Sequence, residues 1–418
     1  MAAEEPAKGD RVGAWAPFEY PAFRALWGAV FFSNLGIWSQ QVGAGWAMTS
    51  LAPSADMVAL VQAATSLPPL LLSLLAGALC DLFDRRLVFV VGQSIILLAA
   101  FALAVVTYEG WLGPWSLLSL TLVIGIGSAI RQPAFQASIG DLVPRPCLPS
   151  AVAANSLGFN LARSVGPAIG GFLVALGGSA AAFLFNACSN VGIIAVMILQ
   201  RRSALANAAP RAPAARAHIW RAMGEGARDL SGDPVIRALI ARGVMLGFGG
   251  SATWALLPMI AKHDLQGSAV TLGLLVGALG VGAVAAAALM PNIRLRVGIN
   301  KMSAAAWILF ACASFALSGL HRLEWLLPAL VVGGAAWMTV LSTLNTSVQM
   351  ASPGWVRGRV LSIYLTGLFA GLSVGAWLWG EAAVHIGVPT ALFSAGCFLS
   401  LGCLVTRWLP IPDKFADA

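Results

Sequence analysis

The chain has 418 residues, of which 59% are hydrophobic and only 10% are charged. Soluble domains carry about 25% charged residues, so this composition excludes a soluble enzyme or a soluble binding domain. A net charge of +8 could suit nucleic-acid binding, but the basic residues are spread over many short loops and therefore indicate membrane topology instead.

Residues 1–22 contain six charged side chains and lack the apolar core of a cleavable signal. They are expected to form a loose cytoplasmic tail. A helix of about 20 apolar residues crosses a bilayer. The apolar runs after the tail predict twelve such spans, at residues 23–50, 57–79, 87–107, 115–139, 150–176, 180–200, 236–261, 269–290, 302–320, 324–349, 359–381 and 388–409.

These runs are continuously apolar rather than alternating, which favours an all-α membrane protein over a membrane barrel. A stretch rich in Ala, Pro and Arg at 201–235 is interpreted as a cytoplasmic linker. It would join two six-helix bundles, 23–200 and 236–409, and a cytoplasmic tail would follow at 410–418. Faint similarity between the bundles at an offset of 209 residues is consistent with two pseudo-repeats.

The lysines and arginines are distributed asymmetrically. With the N-terminus inside, 21 of the 25 fall in cytoplasmic segments, including eight arginines from Arg201 to Arg242. Only Lys262 and Arg322 fall on the outer side. This distribution follows the positive-inside rule and predicts an even number of spans with both termini in the cytoplasm.

The loop after the second span reads Gly77-Ala-Leu-Cys-Asp81-Leu-Phe-Asp84-Arg85-Arg86. It resembles the G-x-x-x-D-x-x-G-R-R signature of the major facilitator superfamily, with Asp84 in place of the usual Gly. That departure and the stretches 143–163 and 356–362 are similar to the bacterial subgroup that contains siderophore (enterobactin) exporters. The resemblance covers nearly the whole chain and implies the twelve-span major facilitator fold.

The resemblance also implies a conformational latch on the cytoplasmic side. Asp81, at the membrane boundary, would meet the positive N-terminal end of the eleventh helix. Alternatively, the basic residues of this loop only anchor the topology. The expected latch residues are Gly77, Asp81, Arg85, Arg86, Asp141, Arg357 and Arg359.

The fifth span carries Gly166, Pro167, Gly170 and Gly171, which are similar to the core of a motif found in drug–proton antiporters. Glycines let helix backbones approach closely. In the family, helix five pairs with eight and two with eleven, so the two halves are expected to rock on glycine faces; ordinary packing is the alternative. Two stripes offer such faces: Gly273, Gly277 and Gly280, and Gly367, Gly371 and Gly375.

Two arginines are predicted inside spans, Arg131 about 15 Å and Arg163 about 20 Å from the cytoplasmic side. A charged residue at membrane depth is a candidate functional residue, and neither arginine has an acidic residue within a turn on its own helix. Two unpaired cations facing a cavity would favour an anionic or catechol-like solute. Alternatively, each donates to backbone carbonyls, or Arg163 acts as a structural switch.

Asn34, Trp38 and Gln41 recur at helical spacing and share one face of the first span. The resemblance implies that helices one, four, seven and ten line the cavity, which adds three further candidates. For the tryptophans, packing is the alternative role. The added candidates are Trp254, Trp337 and Asn345.

No acidic residue or histidine is predicted at mid-membrane, so Asp264 and Glu381, near the outer ends of spans seven and eleven, are the candidates for proton coupling. The sequence has no Gly-Lys-Ser/Thr phosphate loop, no metal-binding cluster and no nucleophile with a base partner. We therefore expect no cofactor, no metal and no enzymatic activity.

Together these features predict a secondary transporter that works by alternating access. The main hypothesis is proton-coupled export of a small siderophore-like or drug-like molecule by a monomer in the bacterial inner membrane. Its partners would be the substrate, protons and the lipid bilayer, without nucleic acid. A lipid or lysophospholipid translocator, an uptake symporter and a non-transporting receptor are the alternatives.

Overall fold

The computed structural model describes residues 13, 15–52, 54–139, 142–204, 234–297, 299–352 and 357–408. Within these residues every regular element is helical. Short turns of helix lie at Ala16–Glu19, Arg145–Cys147 and Ile260–Asp264. The long helices of this part of the chain number eleven: α1 (Pro21–Leu51), α2 (Ala55–Leu82), α3 (Arg85–Tyr108), α4 (Pro114–Ile139), α5 (Leu148–Ala204), α6 (Pro234–Met259), α7 (Ala269–Val297), α8 (Ile299–Gly319), α9 (Leu323–Ala351), α10 (Arg357–Ile386) and α11 (Val388–Trp408).

Ten stretches of these helices are long and apolar enough to cross a membrane. A helix satisfies its own backbone hydrogen bonds in lipid, which is why continuous apolar runs fold this way. α1 is not among the ten, because polar residues such as Ser33, Asn34, Ser39 and Gln40 lower its hydropathy. These four side chains are buried. With 31 residues, α1 is about 46 Å long and can still span a bilayer.

The predicted all-α membrane fold is confirmed, but the count of twelve helices is not exact. Predicted spans five and six belong to one 57-residue element, Leu148–Ala204. Its backbone leaves helical geometry at Gly177 and Gly178, and Gly178 has a φ of 66°, a conformation that favours glycine. The element is thereby divided into a first arm (148–176) and a second arm (179–204), each long enough to cross a bilayer once.

Helices α1–α5 form a first set, and helices α6–α11 form a second set. In the first set α1 packs along α5, and α4 packs on α2 and α3. In the second set α6 packs along α10, α7 along α9, and α8 against α11. The end of the molecule at which α1 and α6 begin is called the N-terminal face, and the other end the opposite face.

Contacts between the two sets lie toward the opposite face. α2 meets α10 where Gly380 lies against Ala59, and the first arm of α5 meets α7 where Gly171 lies against the backbone of Ala269. A side chain at either glycine would overlap its neighbour. The absence of Cβ atoms therefore allows the two sets to close tightly at this end.

Contacts between the two sets extend to the middle of the helices. Near the middle of the helices, Ser373 of α10 donates a hydrogen bond of 3.0 Å to Ser66 of α2. From that level toward the N-terminal face, the side chains of Leu71 and Leu75 on α2 and of Phe159 on α5 are exposed. The contacts between the two sets given by the described residues therefore lie from mid-helix toward the opposite face.

The glycine stripe of α10 faces its own set. A methyl group added at Gly371 would overlap the backbone of Val244 and Phe248 on α6, and one added at Gly375 would meet the same helix. The prediction that Gly367, Gly371 and Gly375 form a rocking surface between halves was wrong. A glycine stripe indicates close approach of two helices but does not identify the partner helix, which here is α6.

Part of the predicted loose tail is packed against α1. The turn Ala16–Glu19 carries Phe18, whose ring centroid lies 5.4 Å from that of Phe23 and 5.1 Å from that of Trp27. The expectation of a loose tail was wrong for this segment, because its aromatic side chains bury apolar surface on the helix. Most of the predicted tails and linker lies outside the described residues, at 1–12, 205–233 and 409–418.

Candidate substrate site

A caged arginine lies where the two helix sets meet. Arg163, on the first arm of α5, has its guanidinium carbon 5.5 Å from the ring centroid of Trp38 on α1 and 5.0 Å from that of Trp254 on α6. Both distances are within the range of cation–π attraction. Because Trp254 belongs to the second set, this cluster of Arg163, Trp38 and Trp254, here called the arginine cage, bridges the two sets.

The charge of Arg163 is not neutralised by a carboxylate within the described part of the chain. Its Nε is buried and has no hydrogen-bond partner, while the residue as a whole is half-buried. A guanidinium offers five donors, and the strongest acceptors for them are anionic oxygens. The cage therefore presents an unneutralised cation that is suited to an anionic ligand.

Small residues explain how Arg163 reaches this position. Gly166 and Gly170 let α5 pack against α1, where Ser39 Oγ donates a 2.9 Å hydrogen bond to the carbonyl of Gly166. On the other side of α5, Gly280 of α7 lies against the backbone of Ser164. These close approaches hold the α5 backbone between α1 and α7 and so fix the position of the Arg163 backbone.

A small cavity lies about one helical turn beyond the cage, toward the opposite face. Trp254 forms part of its wall, and Gln41 and Gln62 supply its polar groups. Gln41 Nε2 donates a 2.9 Å hydrogen bond to Gln62 Oε1. Gln41 was expected to line the cavity, whereas Gln62 was missed; its amide inside the apolar run of the second span was the available signal.

Arg131 occupies a different environment, a buried polar network inside the first set. Its Nη1 donates to Gln93 Oε1 at 3.3 Å and to Ser33 Oγ at 3.5 Å, and Ser33 Oγ donates to Asn190 Oδ1 at 3.0 Å. The acceptors are all neutral, so hydrogen bonds rather than an ion pair hold this arginine. The network also contains Asn186 and Gln40, and the sequence reasoning missed its amides.

A third arginine, Arg242, is buried by helix packing in the first half of α6. Arg242 is 1% exposed, and its Nη2 donates a 3.1 Å hydrogen bond to the carbonyl of Val405 on α11. Its placement in a cytoplasmic segment stays a prediction. α6 begins at Pro234, so Arg242 lies roughly 12 Å along the helix, and helix packing covers it.

The remaining cavity candidates are dispersed. Asn34 is buried within α1. Trp337 on α9 is 5% exposed and packs against Phe310, with ring centroids 5.5 Å apart, and against Trp254 at 6.4 Å. Asn345 is half-buried one helical turn from Gln349, which donates to its Oδ1. Of the predicted set, Arg163, Trp38, Gln41 and Trp254 lie at the cage or in the adjoining cavity wall.

The predicted cytoplasmic latch lies largely outside the described residues. This holds for Asp141, for the surroundings of Gly77 and for the side chains of Asp81, Arg357 and Arg359. The structure does give a role to Asp84, the departure from the family signature. Asp84 Oδ1 accepts a 2.9 Å hydrogen bond from the backbone N–H of Arg86 and so caps the N-terminus of α3. Arg85 and Arg86 are half-buried in the first turn of that helix.

Both candidates for proton coupling lie at the opposite face and not at the cage. Asp264 ends the turn that follows α6 and is half-buried. Glu381 lies near the end of α10, where its Oε1 is 3.1 Å from His385 Nε2. The structure therefore separates these carboxylates from Arg163 by several helical turns.

Known sequences that are similar to this chain belong to membrane transporters. The family model described as transmembrane secretion effector matches residues 12–418. The chain is 25% identical to the staphyloferrin A transporter of Staphylococcus aureus, over 80% of this chain and 84% of that protein. It is 26% identical to the enterobactin exporter EntS of Escherichia coli O1:K1 / APEC, over 92% of this chain and 91% of that protein.

Solved structures share the fold at low sequence identity. A bacterial homolog of the human lysosomal transporter Spinster, inward-facing and occupied, superposes with a TM-score of 0.72 at 14% identity, covering 96% of this chain and 98% of that chain. A D-xylose-proton symporter superposes with a TM-score of 0.71 at 15% identity, covering 96% and 100%. These similarities concern the fold alone.

Proposed function

The chain belongs to the transmembrane secretion effector family of the major facilitator superfamily, and from this premise we propose that it exports a small anionic molecule of the siderophore class. Membership makes it a multi-pass membrane transporter of small organic molecules and not an enzyme. The proposal adds the direction of transport, the charge of the cargo and the site that recognises it.

The arginine cage is the observation that carries this proposal. Arg163 is an unneutralised cation at the boundary of the two helix sets. Two curated relatives are named for siderophores, staphyloferrin A and enterobactin. An anionic group of the cargo would bind the guanidinium, and a flat or apolar part would pack on Trp38 and Trp254.

The N-terminal face is proposed to be cytoplasmic, in a bacterial inner membrane. The excess of arginine in segments at this face supports that orientation. A cleft that opens at this face would admit cargo from the cytoplasm, and the sets would rock as two halves, 23–200 and 236–409, joined by residues 201–235. Asp81 and the N-terminal end of α10 would close the cytoplasmic side in the outward-facing state.

Proton coupling is proposed to use carboxylates at the opposite face. Asp264 and Glu381 remain the candidates, and their position would let them exchange protons with the outer solution. Because they are distant from Arg163, coupling would act through closure of the opposite face rather than through direct competition with the cargo at the cage.

Accumulation of radiolabelled, iron-free enterobactin and staphyloferrin A in cells tests the function. Cells that express the chain in a background lacking their own exporters should retain several-fold less of at least one label, and a protonophore should restore retention. A labelled lysophospholipid serves as the control cargo. Equal retention of both siderophores with and without the chain would refute export, and depletion of the lysophospholipid alone would indicate a lipid translocator.

A further inference from the structure

A lysine makes polar contacts between the two helix sets at the opposite face. Lys262, in the turn that follows α6, donates from Nζ to the backbone carbonyl of Thr49 at 2.9 Å and to Ser50 Oγ at 2.8 Å. Its Nζ also lies 5.6 Å from the ring centroid of Trp46. All three partners belong to the last two turns of α1, so the contact crosses from the second set to the first.

The sequence explains why Thr49 needs this partner. In a continuing α-helix its carbonyl would accept from the N–H four residues later. That position is Pro53, which has no N–H. The carbonyl therefore cannot be satisfied from its own chain in the usual way, and Lys262 supplies the donor. A cation at the C-terminal end of α1 is also attracted by the negative end of the helix dipole.

The backbone of the second set is shaped to place this lysine. Residues Ile260–Asp264 form a π-helical turn. The backbone N–H of Leu265 donates a 3.0 Å hydrogen bond to the carbonyl of Ile260 and closes this turn. A π turn adds one residue per turn and so rotates the side chains that follow it. Ile260 and Ala261 are fully buried, which anchors the turn while Lys262 projects toward α1.

The chemistry of the contact suits repeated release. Lys262 forms no ion pair within the described residues; its partners are a carbonyl, a hydroxyl and an indole ring. Water can replace the first two when the contact opens, so no buried charge is left without a counter-ion. A buried ion pair in this position would be far harder to separate.

From these contacts we infer that Lys262 and the C-terminal end of α1 form a latch that holds the opposite face closed. The latch forms in the conformation described here, in which the two sets are in contact at the opposite face, and it breaks when that face opens. This inference rests on the alternating-access part of the proposed function, but not on the identity or charge of the cargo.

Spin-label distances across the opposite face test the latch. Labels at Glu109→Cys and His321→Cys, in the full chain with its six native cysteines replaced by serine, report the separation of the two sets in lipid nanodiscs. The variant Lys262→Met should increase the long-distance population on the order of tenfold, the effect expected from loss of charged hydrogen bonds. Ser50→Ala should produce a smaller shift in the same direction.

Arg322→Met is the matched control, since it removes a basic residue from the same face whose ion pair with Glu324 lies within the second set. It should leave the distances unchanged. An unchanged distribution in Ser50→Ala together with an unchanged distribution in a monodisperse Lys262→Met protein would overturn the latch. If Lys262→Met does not fold, Ser50→Ala alone decides the result. Latch-dependent opening in a protein that transports neither siderophore would refute the proposed cargo and leave the latch standing.

Discussion

The variant Arg163→Gln should lose export of the anionic cargo while it retains its fold. Gln keeps polar character but removes the positive charge that the two tryptophans hold at the boundary of the sets. Loss of charge-assisted hydrogen bonds to a bound anion should weaken binding on the order of 100-fold. Siderophore binding to the purified protein, followed by quenching of tryptophan fluorescence, measures this change directly, because Trp38 and Trp254 lie on the guanidinium.

Arg237→Gln provides the matched control for this variant. Arg237 is exposed near the start of α6, outside the cage, so its replacement should leave binding near the wild-type value. Arg163→Lys should recover part of the affinity, because the charge returns without the planar fork of donors. Unchanged binding in a folded Arg163→Gln protein would remove the cage from the recognition site.

The variants Gly280→Ala and Gly334→Ala should distinguish an effect on the movement of the two helix sets from an effect on thermal stability. A methyl group at Gly280 would overlap the backbone of Ser164 across the two sets, whereas one at Gly334 would overlap the backbone of Leu279 within the second set. Overpacking costs about 1–3 kcal/mol in either case. Gly280→Ala should therefore disfavour the conformation described here, in which this contact between the sets is formed, and reduce transport on the order of tenfold.

Gly334→Ala should act on stability instead. The second set cannot relieve the overlap by separating, so its thermal midpoint should fall by about 5 °C, while Gly280→Ala should keep a midpoint close to that of the wild type. Thermal unfolding and transport are measured on the same preparations. Equal losses of stability in the two variants would contradict the assignment of Gly280 to a moving interface.

Depth in a span was the signal that identified Arg163 from the sequence, since an arginine well inside an apolar run is costly unless it has a role. The same signal identified Arg131, yet the two arginines lie in different environments. Amides from α3 and the second arm of α5 surround Arg131, and residues far apart in the chain bring Trp38 and Trp254 to Arg163. Spacing along one helix does not contain that information.

The sequence predicted the helices better than it predicted which helices pack together. Apolar runs of membrane length predicted the helices correctly, because a backbone in lipid must form its hydrogen bonds within its own helix. The partner of each glycine stripe depends on how helices are rotated, which is why Gly371 was assigned to a cross-half surface and proved to face α6. Lys262 was predicted only as an outward-facing charge, because its partner at Thr49 becomes visible only when α1 and α6 are placed side by side.

In the proposed transport cycle the two helix sets rock against each other, so that one face opens as the other closes. Two spin-label pairs test it most directly, Leu87→Cys with Lys301→Cys at the N-terminal face and Glu109→Cys with His321→Cys at the opposite face. In Lys262→Met the opposite-face distance should lengthen and the N-terminal-face distance should shorten together. Lengthening at both faces, or a change at one face without the other, would contradict rocking.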